Sequence, residues 1–283
     1  MDSNIQVCAR MIRQAASEGC KLVATPENTG RMTAVTQKAA TNNTAPSSSS
    51  HSSPSPSSSV PPANSHPVLL ALLSLAHELN IHILIGSLAV RVEGETRFAN
   101  RCYLIGPNNK ILAEYDKIFM FDVPALNGAE SYLESARILP GSQSVLVNVP
   151  DLAEGAAIGL TICYDLRFPQ LYRALAQAGA NIITVPSAFT VVTGEAHWHS
   201  LLRARAIETG CWILAPAQSG THPGNRQTFG HSLIVSPWGE IVADAGTEAP
   251  AFITTEIDLD KCEEVRKRIP SLTHDRPFTI AKF

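Results

Sequence analysis

The sequence predicts an α/β fold in which mixed sheets are covered by helices. Predicted strands outnumber predicted helices along the chain. Helix–strand alternation, typical of parallel sheets, is interrupted by hairpins at turns rich in Pro, Asn and Gly, which are typical of antiparallel strands. Neither GxGxxG nor GxxxxGK[ST] occurs, so the common dinucleotide and phosphate loops are excluded. We therefore expect one mixed sheet, or two sheets, rather than a doubly wound parallel order.

The N-terminal half contains two amphipathic helical segments and several short apolar runs. Helices are predicted at 5–16 and 67–79, and strands at 22–24, 81–90, 99–105 and 111–115. The turn Pro107-Asn108-Asn109 joins the last two strands as a hairpin. The stretch 116–134 is predicted to be loop-rich.

A low-complexity segment interrupts this half at 41–66. Ser47 to Ser59 contains ten serines in thirteen residues, with prolines between and after them. Such a composition cannot bury a hydrophobic core and is typical of linkers or disordered insertions. Because the roughly 40 residues before it are too few to fold alone, we interpret it as an insertion in a single domain that spans 1–283.

The C-terminal half repeats the same mixture of elements. Strands are predicted at 145–149, 157–162, 182–186, 212–217, 231–235, 240–243 and 251–257, and helices at 170–178, 196–209 and 259–268. The turn Pro237-Trp238-Gly239 makes a second hairpin. Arg203 and Arg205 on the helix 196–209 are interpreted as structural residues that hold Asp or Glu across a sheet or a dimer contact.

Composition and charge exclude several classes of protein. The 283 residues carry a net charge of −3, which does not indicate nucleic acid or an anionic membrane as a partner. No run of 18 apolar residues predicts a membrane span, and the N-terminus lacks a signal-peptide core. The six scattered cysteines predict free thiols in a reducing compartment, the cytoplasm with the mitochondrion as the alternative. His197 and His199 point to different sides of a helix, so no metal is expected.

Cys163 is the predicted nucleophile. The apolar run 156–162 reads as a buried strand, and Pro169 suits the first turn of the following helix. A thiol at such a turn lies near backbone N–H groups and the positive end of a helix dipole, which favours the thiolate. The alternative is a buried structural cysteine, but the polar residues Tyr164, Asp165 and Arg167 follow it directly.

Two further polar residues follow predicted strands. Glu27 comes after the strand 22–24, and Lys117 comes after the strand 111–115. Open α/β sheets place their sites at such strand ends. A carboxylate can accept the thiol proton, and an ammonium can stabilise a tetrahedral oxyanion. No histidine is placed obviously enough to act as the base instead.

The chain resembles the nitrilase superfamily of carbon–nitrogen hydrolases. The matching segments occur in the family's order and cover nearly everything outside 31–66. They are TPEN at 25–28, YDKIFMFDV at 115–123, ESYLES at 130–135, ICYDLRFP at 162–169, VPSAFTVVTGEAHWHSLLRARAIE at 185–208, APAQSGTH at 215–222 and GHSLIVSPWGEIVAD at 230–244.

This resemblance implies a four-layer α-β-β-α sandwich and a Glu-Lys-Cys catalytic set. Glu27 would be the general base, and Lys117 would stabilise the oxyanion together with the backbone N–H of Tyr164. Glu134 would position substrate or Lys117, and Glu130 is the competing residue for that role. The implied reaction attacks a linear amide with Cys163, releases ammonia and hydrolyses the thioester, without a metal or organic cofactor.

The segments at 185–208 and 215–222 resemble the branch of deaminated-glutathione amidases and ω-amidases. Substrates of that branch are small amides that carry carboxylates. Arg167 is the candidate carboxylate ligand, with an ion pair to Asp165 or another acid as its alternative role. Tyr164 belongs to the same substrate-binding set, and Phe189 and Thr193 would line the pocket, with ordinary core packing as the alternative for Phe189.

Other functions stay open at this point. An ω-amidase or N-carbamoyl amino acid hydrolase is the second enzymatic interpretation, and a catalytically impaired binding protein is the third. The resemblance also implies a homodimer or higher homo-oligomer, with helix 196–209 contributing to the contact. Two departures are visible: Phe119 stands where relatives often have histidine, and no strand precedes the first helix, so we expect an unpaired sheet edge.

Overall fold

Two sheets packed face to face form the centre of the molecule. A computed structural model describes residues 2–30, 60–124 and 131–283. The first sheet has five strands and the second has six. Both sheets combine parallel and antiparallel pairs, which confirms the prediction of mixed sheets.

Five helices and fifteen strands make up the described part of the chain. The helices are α1 (Asp2–Ser17), α2 (Pro67–Leu79), α3 (Pro169–Gln177), α4 (Val191–Thr209) and α5 (Asp260–Arg268). The strands are β1 (Leu22–Ala24), β2 (His82–Arg91), β3 (Phe98–Ile105), β4 (Ile111–Asp116), β5 (Asp122–Val123), β6 (Tyr132–Leu133), β7 (Ile138–Leu139), β8 (Val145–Asn148), β9 (Ala157–Leu160), β10 (Ile182–Thr184), β11 (Trp212–Ala215), β12 (Ser219–His222), β13 (Arg226–Phe229), β14 (Leu233–Val235) and β15 (Ile241–Asp244).

The strand order differs between the two sheets. The first sheet has the order β1-β2-β3-β4, with β7 added beside β3. The second sheet has the order β15-β14-β11-β10-β9-β8.

The hydrophobic core is divided by the first sheet. One face of β2 and β3, with Ile83 and Tyr103, packs against α1 and α2. The opposite face, with Leu84 and Leu104, packs against the second sheet, whose own residues continue to α3 and α4. Since β2 and β3 are buried on both faces, their alternate side chains serve two separate cores. The layers are therefore α-β-β-α, as the resemblance implied.

Most predicted elements are confirmed to within a few residues. The two predicted hairpins are present as the antiparallel pairs β3–β4 and β14–β15. Helix α2 begins at a proline, whose missing N–H leaves no bond unmade in the first turn, and ends at Asn80 in the left-handed region. Helix α4 begins five residues earlier than predicted, because Thr190 caps it by accepting from the backbone N–H of Thr193.

One predicted strand was wrong, and two short antiparallel pairs were missed. The segment 251–257 is not a strand: Ile253 and Ile257 pack on the core, but none of the described strands pairs with their backbone. The polar segment around Gly224 folds into the unpredicted hairpin β12–β13. The loop-rich stretch 116–134 contains the short antiparallel pair β5–β6.

Other sequence-based expectations can be placed only in part. The predicted insertion at 41–66 lies mostly outside the described residues, so the single-domain organisation stays a prediction. The expected unpaired sheet edge is found among the described strands. In the first sheet, β1 pairs with β2 alone and forms that edge. Among residues 2–30, 60–124 and 131–283, every helix is too short or too polar to cross a membrane.

Candidate active site

The site begins at a strained turn after β9. Cys163 has a φ of 48°, in the left-handed region that side chains other than glycine rarely adopt. The backbone is held there because the N–H of Cys163 donates to the carbonyl of Pro186 at 2.9 Å. A 3-10 turn over Cys163–Arg167 follows, and α3 starts only at Pro169. The strain presents the thiol at the end of the strand, where reactive groups are often found.

The Asp165 carboxylate holds this turn in place through hydrogen bonds. It accepts three of them, from the Tyr115 hydroxyl at 2.7 Å, the Phe119 N–H at 3.0 Å and the Ile162 N–H at 2.8 Å. Burial raises the pKa of Asp165 to about 6, although these hydrogen bonds favour its charged form. Asp165 therefore fastens the nucleophile turn to β4 and is not a partner of Arg167.

The predicted base, ammonium and thiol converge at one buried point. The Nζ atom of Lys117 lies 3.2 Å from Oε1 of Glu27, and the Cys163 thiol is close enough to the Glu27 carboxylate for each group to shift the pKa of the other. Glu27 is 4% exposed, Lys117 2% and Cys163 9%. Three residues that are far apart in the sequence therefore share one small volume almost without solvent.

Glu134 completes the arrangement from the far side of Lys117. Its two carboxylate oxygens accept from Nζ at 2.9 Å and 2.8 Å, and the Phe121 N–H fixes one of them at 2.7 Å. The placement fits the positioning role expected of Glu134. The competing residue, Glu130, lies outside the described residues.

Charge and burial act in opposite directions within this cluster. Burial alone would lower the pKa of Lys117, but the charges of Glu134 and Glu27 raise it well above its usual value. Burial opposes ionisation of Glu27 as well, yet the charge of Lys117, the nearby Cys163 thiol and the hydrogen bond from Asn100 lower its pKa. The resting site therefore contains an ammonium and a carboxylate.

The thiol differs from the prediction. Burial, and then the negative charge of Glu27, raise the pKa of Cys163, although Lys117 and the N–H of Ala188 act the other way. The expectation of a thiolate favoured by a helix dipole was wrong, because α3 begins six residues later and the adjacent carboxylate is anionic. Cys163 therefore rests as a thiol beside a charged carboxylate.

Two of the four predicted substrate-binding residues, Tyr164 and Arg167, lie in the 3-10 turn that starts at Cys163. Tyr164 contacts Phe121 and Phe168 edge-on, with centroids 5.1 Å and 5.5 Å apart. The guanidinium of Arg167 lies 5.8 Å from the centroid of the Tyr164 ring and 5.7 Å from that of Phe189. It forms no ion pair with any acid that the structure describes, and its hydrogen bonds go to Nδ1 of His197.

The other two residues have structural contacts as well. Phe189 is buried and packs on Trp198 with centroids 4.7 Å apart. The Thr193 hydroxyl lies 2.8 Å from that of Thr190 in the first turn of α4. Phe189 precedes α4 in the segment after β10, and Thr193 lies in the first turn of α4. A residue at either position can line a pocket and also pack against its neighbours.

Arg203 and Arg205 have structural contacts, but within the described residues the expected acids across a sheet are not their partners. They donate to the carbonyls of Gly239 and Leu166, and Arg205 pairs with Glu208 on α4 itself.

Sequence reasoning missed three polar residues near Glu27. The Asn100 amide on β3 donates to Oε1 of Glu27 at 2.9 Å, and the Gln218 amide donates to the Glu27 carbonyl at 3.0 Å. The charge of Arg226 on β13 also lowers the pKa of Glu27. In the sequence, Asn100 resembles an ordinary strand residue. Its polarity within the run 98–105 is the only signal that could have indicated a role in the site.

An aromatic pair lies beside the nucleophile turn. Phe119, at the position where relatives often have histidine, stacks on Phe168 with centroids 3.5 Å apart and planes 7° apart. At this position the Phe119 ring makes an apolar stacking contact, where an imidazole would offer polar nitrogen atoms. The residues described above offer no cluster of metal ligands; the one found in the described part of the chain consists of His199, His231 and Asp244.

Comparisons with known proteins identify the family. The profile of the carbon-nitrogen hydrolase family matches residues 1–267. A deaminated glutathione amidase of Synechocystis is 38% identical over 278 residues, which is 97% of this chain and 93% of the relative. A deaminated glutathione amidase of Bos taurus is 41% identical over 206 residues, or 72% of this chain and 61% of the relative.

Two solved structures share the fold closely. The Nit3 protein of Saccharomyces cerevisiae, described as a member of branch 10 of the nitrilase superfamily, aligns with a TM-score of 0.77 at 27% identity, covering 98% of this chain and 91% of Nit3. The NitFhit protein of C. elegans aligns with a TM-score of 0.78 at 30% identity. That alignment covers 97% of this chain but only 61% of NitFhit.

Proposed function

This chain belongs to the carbon–nitrogen hydrolase family and is an amidase, and we propose that it hydrolyses small carboxylate-bearing amides related to deaminated glutathione. The relatives named above support that substrate class. The single observation that carries the mechanism is the buried contact of Lys117 with Glu27, beside a thiol whose pKa the same carboxylate raises.

The first half of the proposed reaction forms a thioester. Glu27 accepts the thiol proton while Sγ of Cys163 attacks the amide carbonyl carbon. The oxyanion that develops is stabilised by the ammonium of Lys117 and the backbone N–H of Tyr164. When the intermediate collapses, the C–N bond breaks and Glu27 returns its proton to the departing nitrogen.

The second half regenerates the enzyme. Water replaces the departed amine, Glu27 accepts a proton from it, and the hydroxyl attacks the thioester carbonyl. The C–S bond then breaks, the carboxylic acid leaves, and Cys163 recovers its proton from Glu27. Lys117 keeps its charge throughout, because Glu134 and Glu27 hold its pKa well above its usual value.

The leaving group depends on the amide. A primary amide releases ammonia, as the resemblance implies. Deaminated glutathione is a peptide whose amide bonds are secondary, so its hydrolysis releases an amine. The proposed chemistry accommodates both, since the proton that Glu27 delivers goes to whichever nitrogen leaves.

Arg167 is proposed to bind a substrate carboxylate. It follows the nucleophile by four residues, and its guanidinium lies near the Tyr164 and Phe189 rings and makes no ion pair within the described residues. A guanidinium placed in this way can make two parallel hydrogen bonds to a carboxylate. We expect Arg167→Lys to raise KM for carboxylate substrates more than it lowers kcat, because Lys cannot form the bidentate contact.

Turnover of deaminated glutathione tests the proposal directly. Formation of the 2-oxo acid product is measured for the wild type and for Cys163→Ala, with 2-oxoglutaramate and N-carbamoyl amino acids as competing substrates. A preference for 2-oxoglutaramate or an N-carbamoyl compound would replace the proposed substrate. Mass spectrometry of the quenched reaction should show an acyl group on Cys163, and its absence with every amide would favour a binding protein instead.

We also propose a homodimer and a reducing, cytoplasmic location. All six cysteines are free thiols, which fits a reducing compartment. The proposed contact face is the exposed side of α4 with the turn between β14 and β15, which carries the exposed residues Ile207 and Trp238. Large apolar groups exposed together on one face are typical of protein contacts.

A further inference from the structure

Three side chains with metal-binding atoms meet at the surface beside α4. They are His199 on α4, His231 just before β14, and Asp244 at the end of β15. One ligand atom from each lies within 4.8 Å of the others. Their side chains are 32%, 23% and 32% exposed, so a dissolved ion can reach them. None of the three belongs to the proposed amidase mechanism.

The spacing of the ligand atoms fits a small divalent cation. Nε2 of His199 lies 3.2 Å from Oδ2 of Asp244, and Nδ1 of His231 lies 3.0 Å from both carboxylate oxygens. In a tetrahedral site with bonds of about 2.0–2.1 Å, neighbouring ligand atoms are about 3.3–3.4 Å apart. Small side-chain movements would therefore bring the three atoms to the corners of one coordination sphere.

The surrounding structure holds these ligands in place. His231 has a φ of 55°, and its backbone N–H donates to Gly246 at 2.7 Å while its carbonyl accepts from the Trp198 indole at 2.8 Å. The ring of Phe229 stacks on His231 with centroids 4.5 Å apart. Contacts of this kind fix ring orientation before a metal binds.

The backbone fixes one oxygen of the Asp244 carboxylate. The Gly246 N–H lies 2.8 Å from Oδ1 and fixes that oxygen. Two imidazole nitrogens and one carboxylate oxygen form a ligand set that suits zinc and leaves a fourth position for water.

We propose that His199, His231 and Asp244 bind one Zn²⁺ ion, separately from the amide-hydrolysing centre. His199 belongs to α4, whereas His231 and Asp244 flank the β14–β15 hairpin, so the ion would fasten that helix to the second sheet. A metal that binds the folded chain and not the unfolded one raises the free energy of unfolding. The role is therefore structural or regulatory, and it requires no substrate.

Calorimetric titration of the metal-free protein with Zn²⁺ tests this assignment. The wild type should bind one equivalent and unfold at a higher temperature when loaded. His199→Gln and Asp244→Asn keep hydrogen-bonding groups of similar size, and each should weaken binding by more than about tenfold. His274→Ala is the matched control, because it removes an exposed histidine outside the cluster and should bind like the wild type.

Three results would overturn the assignment. One is a wild type without saturable Zn²⁺ binding, and another is full affinity in both ligand variants. Because Cys8 and Cys20 are partly exposed thiols, Co²⁺ absorption is recorded in parallel. A thiolate charge-transfer band would place the ion on a cysteine and would also contradict the proposal. Circular dichroism with a chelator present confirms that each variant is folded before its affinity is compared.

Discussion

At the scale of single residues, Glu27 and Cys163 hold one proton between a carboxylate and a thiol. Lys117 and hydrogen bonds lower the pKa of Glu27, whereas burial and Glu27 itself raise the pKa of Cys163. The proton therefore stays on sulfur until an amide carbonyl is available to take the electron pair. A resting thiol is also less open to oxidation than a thiolate.

Glu27→Gln is expected to separate two properties of the thiol. Turnover should fall by about 10²–10⁴-fold, because the base is lost. Direct modification of Cys163 by methyl methanethiosulfonate should become faster and shift to lower pH, because removing the anion lowers the thiol pKa while Lys117 stays charged. Both rates are measured across pH on the same preparations.

The two outcomes have opposite signs, which makes the test strict. A general disruption of the site would slow both reactions together, and a parallel loss would contradict the proposed roles. Cys163→Ala provides the control for the assay, since any modification that persists in it belongs to one of the other five cysteines.

Asn100 illustrates a polar residue kept at a cost. Its side-chain oxygen is buried and has no hydrogen-bond partner among the described residues, although its amide donates to Glu27. An unsatisfied buried polar atom costs about 1–3 kcal/mol. We therefore assign Asn100 a positioning role toward Glu27 rather than a role in stability.

Asn100→Leu should lower activity with little effect on folding. A hydrogen bond to a charged group contributes about 1.5–3 kcal/mol, so kcat/KM should fall roughly tenfold to hundredfold. Since this hydrogen bond lowers the pKa of Glu27, its loss should move the acidic limb of the kcat/KM–pH profile to higher pH. A pH–rate series and a thermal unfolding scan measure the two effects. An unmoved acidic limb would refute the positioning role.

At the residue level, the sequence indicates where a reactive side chain stands but not what surrounds it. Glu27, Lys117 and Cys163 each follow a predicted strand, and that placement is visible in the sequence. The pKa of Cys163 depends on the carboxylate of Glu27, which is 136 positions earlier in the sequence (163 − 27). The Asn100 contact depends on the pairing of β2 with β3, which one sequence does not reveal.

At the scale of elements, the close approach of β1 to β2 sets the position of the base. The Thr25 N–H donates to Leu84, and the Gly86 N–H donates to the Thr25 hydroxyl. A Cβ atom on Gly86 would lie 2.0 Å from the Thr25 carbonyl oxygen and 2.5 Å from the Pro26 carbonyl carbon. Only glycine allows the backbone before Glu27 to lie this near.

Gly86→Ala should therefore displace Glu27. A misplacement of about 1 Å in a catalytic group can reduce the rate by about 10²-fold, and we expect a loss of that order in kcat. Gly159→Ala is the matched strand control, because its Cβ would meet the Leu175 side chain at 3.1 Å, which can adjust. It should destabilise the fold modestly and leave kcat within a few-fold. Steady-state kinetics and unfolding curves distinguish them, and similar kcat losses would contradict the argument.

Elements with strong local patterns were predicted well, and those held by context were not. The β3–β4 and β14–β15 hairpins carry apolar strands around clear turns, so they were found. Hairpin β12–β13 is mostly polar and packs over Gly194 of α4 through Phe229, a tertiary contact without a hydrophobic period. The segment 251–257 has alternating apolar residues but no described strand beside it, so periodicity alone overstated its role.

At the scale of the whole molecule, the site lies where two sheets and their loops come together. Glu27 and Lys117 follow β1 and β4 of the first sheet, while Cys163 follows β9 of the second. Each sheet contributes residues to the proposed catalytic set, so the four-layer packing itself brings that set together. The mixed sheets were predictable from element order. The four-layer arrangement followed from the family resemblance and not from periodicity.

A contiguous apolar face remains exposed on this assembly. Ile207 on α4 is 54% exposed and lies against the turn at Gly239, next to Trp238, which is 48% exposed. Arg268 covers part of the Trp238 ring, and the neighbouring Ile269 is 55% exposed. These residues come from α4, the β14–β15 turn and the end of α5, so one face of the fold presents them together.

We expect this face to join two copies of the chain. Sedimentation equilibrium should show a wild-type dimer, and Ile207→Glu or Trp238→Glu should weaken the association roughly tenfold to hundredfold, because burying one such side chain contributes about 1.5–3 kcal/mol. Leu70→Glu is the control: Leu70 is 48% exposed on α2, on the opposite outer layer, and its replacement should leave the dimer intact. A monomeric wild type, or equal weakening by all three variants, would show that this face is not the contact.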